Sequence, residues 1–421
     1  MSALDSFDLA IVGAGIVGLA CALAATERGK RAVVIDRDER ANGASVRNFG
    51  FVTVTGQAGG AMWRRARRSR EVWEHVAPLA GIAILQRGLL MVARRSESAA
   101  VLEAFAATEM GEACRLLTPV ELRRRQPQVA SLGLTAALWS PHELRVESRE
   151  AIPLLAAWLE ARGVVFRRQT AALAVETGKV FTSGGVVEAR AIVVCPGDDL
   201  VSLFAEAIAA HGIARCKLQM LRLADPGFRL ASPVMSELGL IRYAGYVALP
   251  EAAALRERLE AEQPDHVAHG VHLIVVQGQD GELVVGDSHH YAATPDPFAS
   301  EAVDRLILDE FTAVFGCPPP AVTERWTGTY AYGPSPVLIE TPLPGVRLVM
   351  VTTGAGASTA FALGEEVIND LMEREAAWND QDGSVGLRPG DLRLGRNGGR
   401  FRLPGAGDRP RGGVRGRWRD T

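Results

Sequence analysis

Residues 8–36 read DLAIVGAGIVGLACALAATERGKRAVVID and restrict the fold more than any other stretch. An apolar strand (Leu9 to Val12) runs into Gly13, Gly15 and Gly18, an alanine-rich helix follows, and a second strand (Arg31 to Ile35) ends in Asp36. Each glycine has a physical task. Gly13 permits a tight turn, Gly15 lets backbone approach a pyrophosphate, and Gly18 lets the helix pack closely on the sheet. The helix N-terminus then offers free N–H groups and partial positive charge to the anion. Asp36 arrives 18 residues beyond Gly18, at the strand end where a carboxylate can accept hydrogen bonds from ribose hydroxyls. Strand, glycines, helix, strand and acid in register predict a dinucleotide-binding unit in an α/β chain.

The chain has 421 residues, 48% of them hydrophobic, enough for more than one domain and a large core. Its formal net charge of −3 hides two unequal parts. Residues 386–421 hold ten Arg, three Asp and ten Gly, a local +7 that leaves −10 on residues 1–385. That composition predicts a disordered arginine- and glycine-rich tail at 386–421. The folded body, being acidic, is not expected to bind nucleic acid. Five cysteines (Cys21, Cys114, Cys195, Cys216, Cys317) are widely spaced with no C-x-x-C pair, so neither a disulfide framework nor a structural zinc site is expected. The uncharged run Leu9 to Thr26 is preceded by Asp5 and Asp8 rather than by basic residues, which argues against a leader or membrane segment. A cytoplasmic protein follows. His266, His269 and His272 recur every three residues, but His272 enters the strand-like VHLIVV, and a polar loop leading into a strand explains them without a metal.

No second glycine-helix-strand-acid unit is present that could hold a nicotinamide cofactor beside a flavin. Gly354 and Gly356, in TTGAGASTAFALGEEVINDL, follow a strand (Val346 to Val351) and precede a helix expected from about Thr359, with no acid-ended strand after it. A second helix N-terminus so placed suits the pyrimidine edge of an isoalloxazine, where negative charge accumulates on reduction.

With these segments the chain resembles the D-amino acid oxidase and glycine or sarcosine oxidase superfamily of FAD-dependent amine oxidoreductases, over roughly residues 7–375. The N-terminal unit, ARAIVVCPGDD at 189–199 and RWTGTYAYGPSPVLIETPLPGVRLVMVTTGAGASTAFALGEEVIND at 325–370 carry the likeness. The resemblance implies a glutathione-reductase-type fold: a discontinuous Rossmann-like FAD-binding domain (1–85, 145–215 and 325–375) and a substrate domain with a mixed, largely antiparallel sheet (86–144 and 216–324). It implies non-covalent FAD held by Gly13, Ala14, Gly15, Ile16, Val17, Gly18, Asp36, Arg37, Ser45, Arg47, Asn48, Phe49, Gly50, Gly197, Gly354, Ala355, Gly356, Ser358 and Thr359. Covalent attachment is not expected, because no Cys lies between Ala321 and Thr421 and no His lies in the 42–50 loop. Two shorter motifs, GASVRNFGFV at 43–52 and VVGDSHHY at 284–291, resemble the branch linked to aminophosphonate catabolism. That branch implies 2-aminoethylphosphonate, an N-methylated form or a hydroxylated relative as substrate.

Two departures from the wider family matter. Carboxylate-binding members carry W-x-G-x-R, whereas here Trp326, Gly328 and Tyr330 occupy those places. An arginine fork is the usual partner of an amino-acid carboxylate, so its loss disfavours an ordinary α-amino acid. Arg47 is then the first candidate to hold an anion, or else a structural contact, followed by His289, His290 and Arg242. The oxygen-activating lysine of sarcosine-oxidase-like members falls at Val284, and none of the three lysines (Lys30, Lys179, Lys217) replaces it. Dioxygen or another electron acceptor therefore both remain open.

By this resemblance, catalysis is hydride transfer from the carbon bearing a neutral amine to flavin N5, with hydrolysis of the imine to an aldehyde. His289, His290, Tyr330 and Arg47 are the catalytic candidates. Other FAD chemistry, on an N-methyl or D-amino acid or a hydroxy acid, and a non-catalytic flavin-binding subunit are the alternatives. AIPLLAAWL at 151–159 and AVDRLILDEFTAVF at 302–315 have helical spacing and read as core helices. WRRARRSREVWEHV at 63–76 reads as a solvated helix, or as a positive rim steering an anionic substrate.

Overall fold

The N-terminal strand Ser6–Val12 is the centre of a five-stranded parallel sheet in the computed structural model, which describes residues 6–130 and 133–383. It pairs on one side with Ala32–Ile35 and on the other with Gly185–Val194. Val165–Arg167 extends the first edge and Val346–Thr353 the second, all in parallel. Three distant parts of the chain thus build one sheet. Parallel strands are covered on both faces, and the buried runs AVVI at 32–35 and IVV at 192–194 show it. The helix Ile16–Glu27 is apolar all round up to Ala25 and buried from Gly18 to Ala25. Gly364 of the C-terminal helix Gly356–Gly383 touches it: a Cβ there would sit 2.7 Å from the Ala20 backbone, so the absence of a side chain sets the helix spacing.

The 19-residue strand Val322–Glu340 ties this sheet to a second one. Its end, Val337 to Glu340, runs antiparallel to Val346–Thr353, while Val322 to Tyr332 runs antiparallel to Ala214–Leu223. From Ala214–Leu223 the sheet continues through Leu283–Gly286 and Ile274–Gln277 to Val234–Met235, Ile84–Ala93 and Ala136–Val146. Only the Val234–Met235 and Ile84–Ala93 pair is parallel in this half. The fold is therefore α/β with one large mixed sheet, parallel at the N-terminal unit and mostly antiparallel beyond.

Residues 1–374 form one compact unit; the second unit, Glu375–Thr421, is described only through the end of the C-terminal helix. The expected disordered tail at 386–421 lies outside the described residues. The two predicted core helices are Ser148–Ala161, burying Ala151, Ile152, Leu155 and Leu159, and Glu301–Phe315, burying Val303, Ile307, Phe311 and Val314. The arginine-rich segment forms the helix Ala61–Leu79 and buries Trp63, Ala66, Val72 and Trp73. Four of its five arginines are ion-paired, Arg65 to Glu366, Arg68 to Glu365, Arg67 to Glu112 and Arg70 to Glu74. Paired in this way they form a solvated face rather than an open positive rim. The C-terminal helix begins at Gly356, three residues before the expected Thr359, because Gly354 at φ +69° turns the chain in one step. Among the described residues no helix is long and apolar enough to cross a membrane.

Candidate functional site

The glycine turn is held open by close backbone approach. At Gly13 (φ +103°) a Cβ would lie 2.4 Å from the Cys195 carbonyl oxygen, and at Gly18 it would lie 1.9 Å from the Gly13 carbonyl oxygen. Asp36 braces the same turn: its carboxylate accepts from Ala14 N–H at 2.6 Å and Asp38 N–H at 2.9 Å. Ser45 Oγ accepts from Ile16 N–H at 2.9 Å and fills the space beside Gly15, where a Cβ would lie 3.1 Å from that oxygen. Beyond the turn opens a cavity of about 690 Å³, within the range of about 300–1,000 Å³ usual for cofactor and ligand sites. Gly15, Ile16, Val17, Gly18, Ser45, Arg47, Asn48, Phe49, Gly50, Gly197, Gly354, Ala355, Gly356 and Ser358 are all in its wall. Two helix N-termini, at Ile16 and Gly356, meet one space with bare backbone between them. That is the donor set and clearance a flavin dinucleotide needs.

Five of the expected cofactor residues are not in this wall. Gly13, Ala14 and Asp36 shape the turn rather than face the cavity, and Arg37 is paired at the surface with Asp199 at 2.9 Å. Thr359 is a correction: it is fully buried, and its hydroxyl donates to the Ala355 carbonyl at 2.8 Å inside the first helical turn. Arg47 lines the cavity, but its guanidinium donates to Asn42 Oδ1 at 3.1 Å and its carbonyl accepts from Trp326 Nε1 at 3.3 Å. Gly328 presses on the same loop, since a Cβ there would meet the Arg47 carbonyl oxygen at 3.1 Å. Trp326 and Gly328 thus seat the 43–52 loop.

The far end of the cavity is built by Tyr330, His289, His272, Asp287, Arg242, Tyr243 and Tyr291. Tyr330 is buried on the long linking strand with its ring against Gly354, where a Cβ would lie 3.1 Å away. Burial raises its phenol well above the ordinary range, so it stays a proton donor. His289 and His272 are also buried, their rings 5.1 Å apart, and burial reinforced by Arg242 holds both imidazoles well below their usual pKa. Between them lies Asp287, with His272 Nδ1 3.2 Å from Oδ1 and His289 Nε2 3.7 Å from Oδ2. Burial pushes this carboxyl up to about 7, with Arg242 pulling the other way. Arg242 is half-buried and donates to Tyr291 Oη at 3.0 Å.

His290 is the second correction. Successive residues of an extended segment point to opposite sides, so with His289 in the wall His290 turns away, 2.9 Å from His269 and in register with Lys217. No lysine lines the cavity; Lys217 is bound to Asp296 and the Phe298 carbonyl, and Val284 is a buried strand residue. Of the three regularly spaced histidines only His272 reaches the cavity. It does so through a pairing the sequence does not display: His272 and Asp287 exchange both backbone hydrogen bonds, at 2.9 and 3.1 Å, continuing the ladder that joins Ile274 to Gly286. Asp287, which the sequence reading passed over inside GDSHHY, is placed by that ladder. The donor atoms of His272, Asp287 and His289 lie within 4.8 Å of one another, a spacing that would admit a metal ion. The Arg242 cation acts on all three and opposes one.

All five cysteines are unbridged, and Cys195 is the cysteine in the cavity wall, its thiol raised well above normal by its hydrogen bond with Cys21 and by burial. A neutral thiol is a poor nucleophile. Denaturing the purified protein in acid should therefore leave all yellow colour in the supernatant, and colour on the precipitated chain would contradict this.

The family model for FAD dependent oxidoreductases (DAO) matches residues 8–369. No curated protein matches by sequence. Among solved structures the chain is similar to glycine oxidase from Geobacillus kaustophilus, with 19% identity and a TM-score of 0.71, covering 88% of this chain and 95% of that one. It is similar to L-proline dehydrogenase from P. horikoshii, with 19% identity and a TM-score of 0.69, covering 87% and 93%. It is also similar to L-alpha-glycerophosphate oxidase from Mycoplasma pneumoniae with FAD bound, with 14% identity and a TM-score of 0.67, covering 87% and 95%. At these identities the likeness establishes the fold.

Proposed function

The chain belongs to the DAO family of FAD-dependent oxidoreductases, and from that premise we propose that it oxidises a small primary or secondary amine to an imine that water hydrolyses to an aldehyde. The substrate class is an aminophosphonate, such as 2-aminoethylphosphonate or an N-methyl derivative. The observation that carries this reading is the far wall of the cavity, where Arg242 stands among three tyrosines and two neutral histidines. An anionic headgroup can be paired there while the amine end meets uncharged donors and acceptors. The motifs GASVRNFGFV and VVGDSHHY, which suggest the aminophosphonate branch, both contribute wall residues.

Gly15 to Gly18, Ser45, Asn48, Gly50, Gly197, Gly354 to Gly356 and Ser358 would hold FAD. When bound, FAD accepts the two electrons and the hydrogen of the C–H bond. The protein's own part is to orient that bond, exclude water and keep the amine neutral. Tyr330, held protonated against Gly354, donates from the roof; His289, held neutral, accepts. We assign cofactor binding to 1–85, 145–215 and 325–375 and substrate binding to 86–144 and 216–324. In support, Leu19, Leu155, Val193 and Phe361 share one core, while Met91, Met220, Val276 and Leu238 share another. Free cysteines suit the reducing cytoplasm.

The test is anaerobic bleaching of bound flavin by a panel of aminophosphonates, amines, amino acids and hydroxy acids. Aminophosphonates should bleach it fastest. Bleaching by glycine, D-alanine or a hydroxy acid but by no phosphonate would replace this reading, and peroxide assayed on readmitting air would identify dioxygen as the acceptor.

A further inference from the structure

We propose that Asp287 takes the proton from the substrate's ammonium group, with His289 and His272 as the imidazoles that share it. This rests on the amine reading above.

An amine enters near neutral pH mainly as R–CH2–NH3⁺, which has no lone pair to expel the C–H electrons. A group in the cavity must accept the proton, and among the described residues of the wall Asp287 is the one carboxylate. It is 4% exposed, and its Oδ1 has no hydrogen-bond partner. An unpartnered acid oxygen in a buried site is costly, and persists where an incoming cation completes it.

The neighbours sharpen the assignment. His289 Nδ1 donates to the Gly270 carbonyl at 2.9 Å, which leaves Nε2 as a lone pair facing Asp287 Oδ2. His272 presents Nδ1 to Oδ1 on the other side, and neither of its ring nitrogens has a hydrogen-bond partner. On the His289 side an acceptor therefore faces an acceptor, a place for one more proton, while His272 carries its single ring proton without a fixed partner. The titratable groups facing Asp287 and its two histidines are Arg242 and Tyr243 on the 242–243 segment, Tyr291 on the following strand, Tyr330 on the linking strand and Cys216 opposite it. Burial raises the Tyr243 and Tyr330 phenols well above their ordinary range and pushes the Cys216 thiol up to about 11, so all three are neutral near pH 7. Arg242 supplies the positive charge that keeps a carboxylate available to take the proton.

The step balances. One N–H bond of the ammonium breaks and one O–H bond forms on Asp287, giving the neutral amine and a carboxylic acid. The amine lone pair then expels the C–H hydrogen with its two electrons to the family's FAD, so carbon is oxidised and the cofactor reduced. The iminium adds water and releases aldehyde and ammonium, and Asp287 returns its proton to solvent as product leaves.

The test compares wild type with Asp287→Asn and Asp287→Glu, using 2-aminoethylphosphonate or the best amine of the panel, in anaerobic flavin bleaching from pH 6 to 10. Wild type should level off above about pH 7, where Asp287 is ionised. D287N should bleach about 100-fold slower at pH 7 and gain tenfold per pH unit toward the amine's own pKa. D287E should recover to within about tenfold. A second readout needs no turnover: calorimetric Kd of an amine with no hydrogen on its amine-bearing carbon should be flat from pH 7 to 9 in wild type and tighten tenfold per unit in D287N. If D287N retains FAD and the wild-type profile, or if chelation stops wild-type bleaching and added metal restores it, the inference is overturned. If no amine bleaches the wild type, it is the amine reading that fails.

Discussion

Replacing Gly13 with alanine will yield a chain that purifies colourless. A Cβ at this position would be 2.4 Å from the Cys195 carbonyl oxygen, on a backbone at φ +103°. Side chains of L-residues avoid that conformation, and Cys195 is tied to the central strand by its N–H bond to the Val12 carbonyl, so its own carbonyl has little room to retreat. Gly29 is the internal control. It too has a positive φ, +68°, but a Cβ there meets nothing within 4 Å, so Gly29→Ala should cost only about 1 kcal/mol of backbone strain. Gly13→Ala should cost more than about 3 kcal/mol, the range of buried clashes and strained backbone together. Because the displaced atoms carry the turn that leads to the Ile16 helix N-terminus, the loss should fall on FAD first. Flavin absorbance per chain and thermal melts of both variants check this. A yellow Gly13→Ala protein melting with wild type would show that the turn tolerates a side chain and that the N-terminal unit has been misread. Gly18→Ala, whose Cβ would be 1.9 Å from the Gly13 carbonyl, should behave as Gly13→Ala does.

The same turn shows why some of the molecule was legible in the sequence. Strand, glycines, helix and acid lie within 29 consecutive residues, so local spacing encodes them and the structure places them in register. The second glycine cluster was legible for the same reason, and only the first residue of its helix was misplaced, because one left-handed glycine completed the turn. Thr359 and His290 were misassigned because a motif gives order along the chain but not direction: one hydroxyl turned back on its own helix, and one imidazole fell on the wrong side of an extended segment. His272 and Asp287 were passed over for a different reason. They meet only through antiparallel pairing of Ile274–Gln277 with Leu283–Gly286, and no property of either segment states that partner. Arg242 was ranked below Arg47 because Arg47 sits in a recognisable loop, while Arg242 lies in LIRYAGY, a stretch without a motif.

That ranking can be reversed by measurement. Arg242→Met should lower kcat/KM for a phosphonate-bearing amine about 1,000-fold and change an uncharged amine of similar length by less than tenfold. Removing one partner of a desolvated charge pair costs about 2–5 kcal/mol, and each 1.4 kcal/mol is a factor of ten. Arg47→Met should cost the phosphonate less than about tenfold, because its guanidinium is engaged by Asn42 and its hold on the site runs through its carbonyl to Trp326. A second signature separates Arg242 from a merely structural arginine. Arg242 lowers the pKa that burial has raised at Asp287, so without it the carboxyl binds its proton more tightly. The acid limb of the bleaching profile should therefore move to higher pH in Arg242→Met. Equal losses on charged and uncharged amines, with the acid limb unmoved, would show that Arg242 holds Tyr291 in place and nothing more, and would return the anion to Arg47.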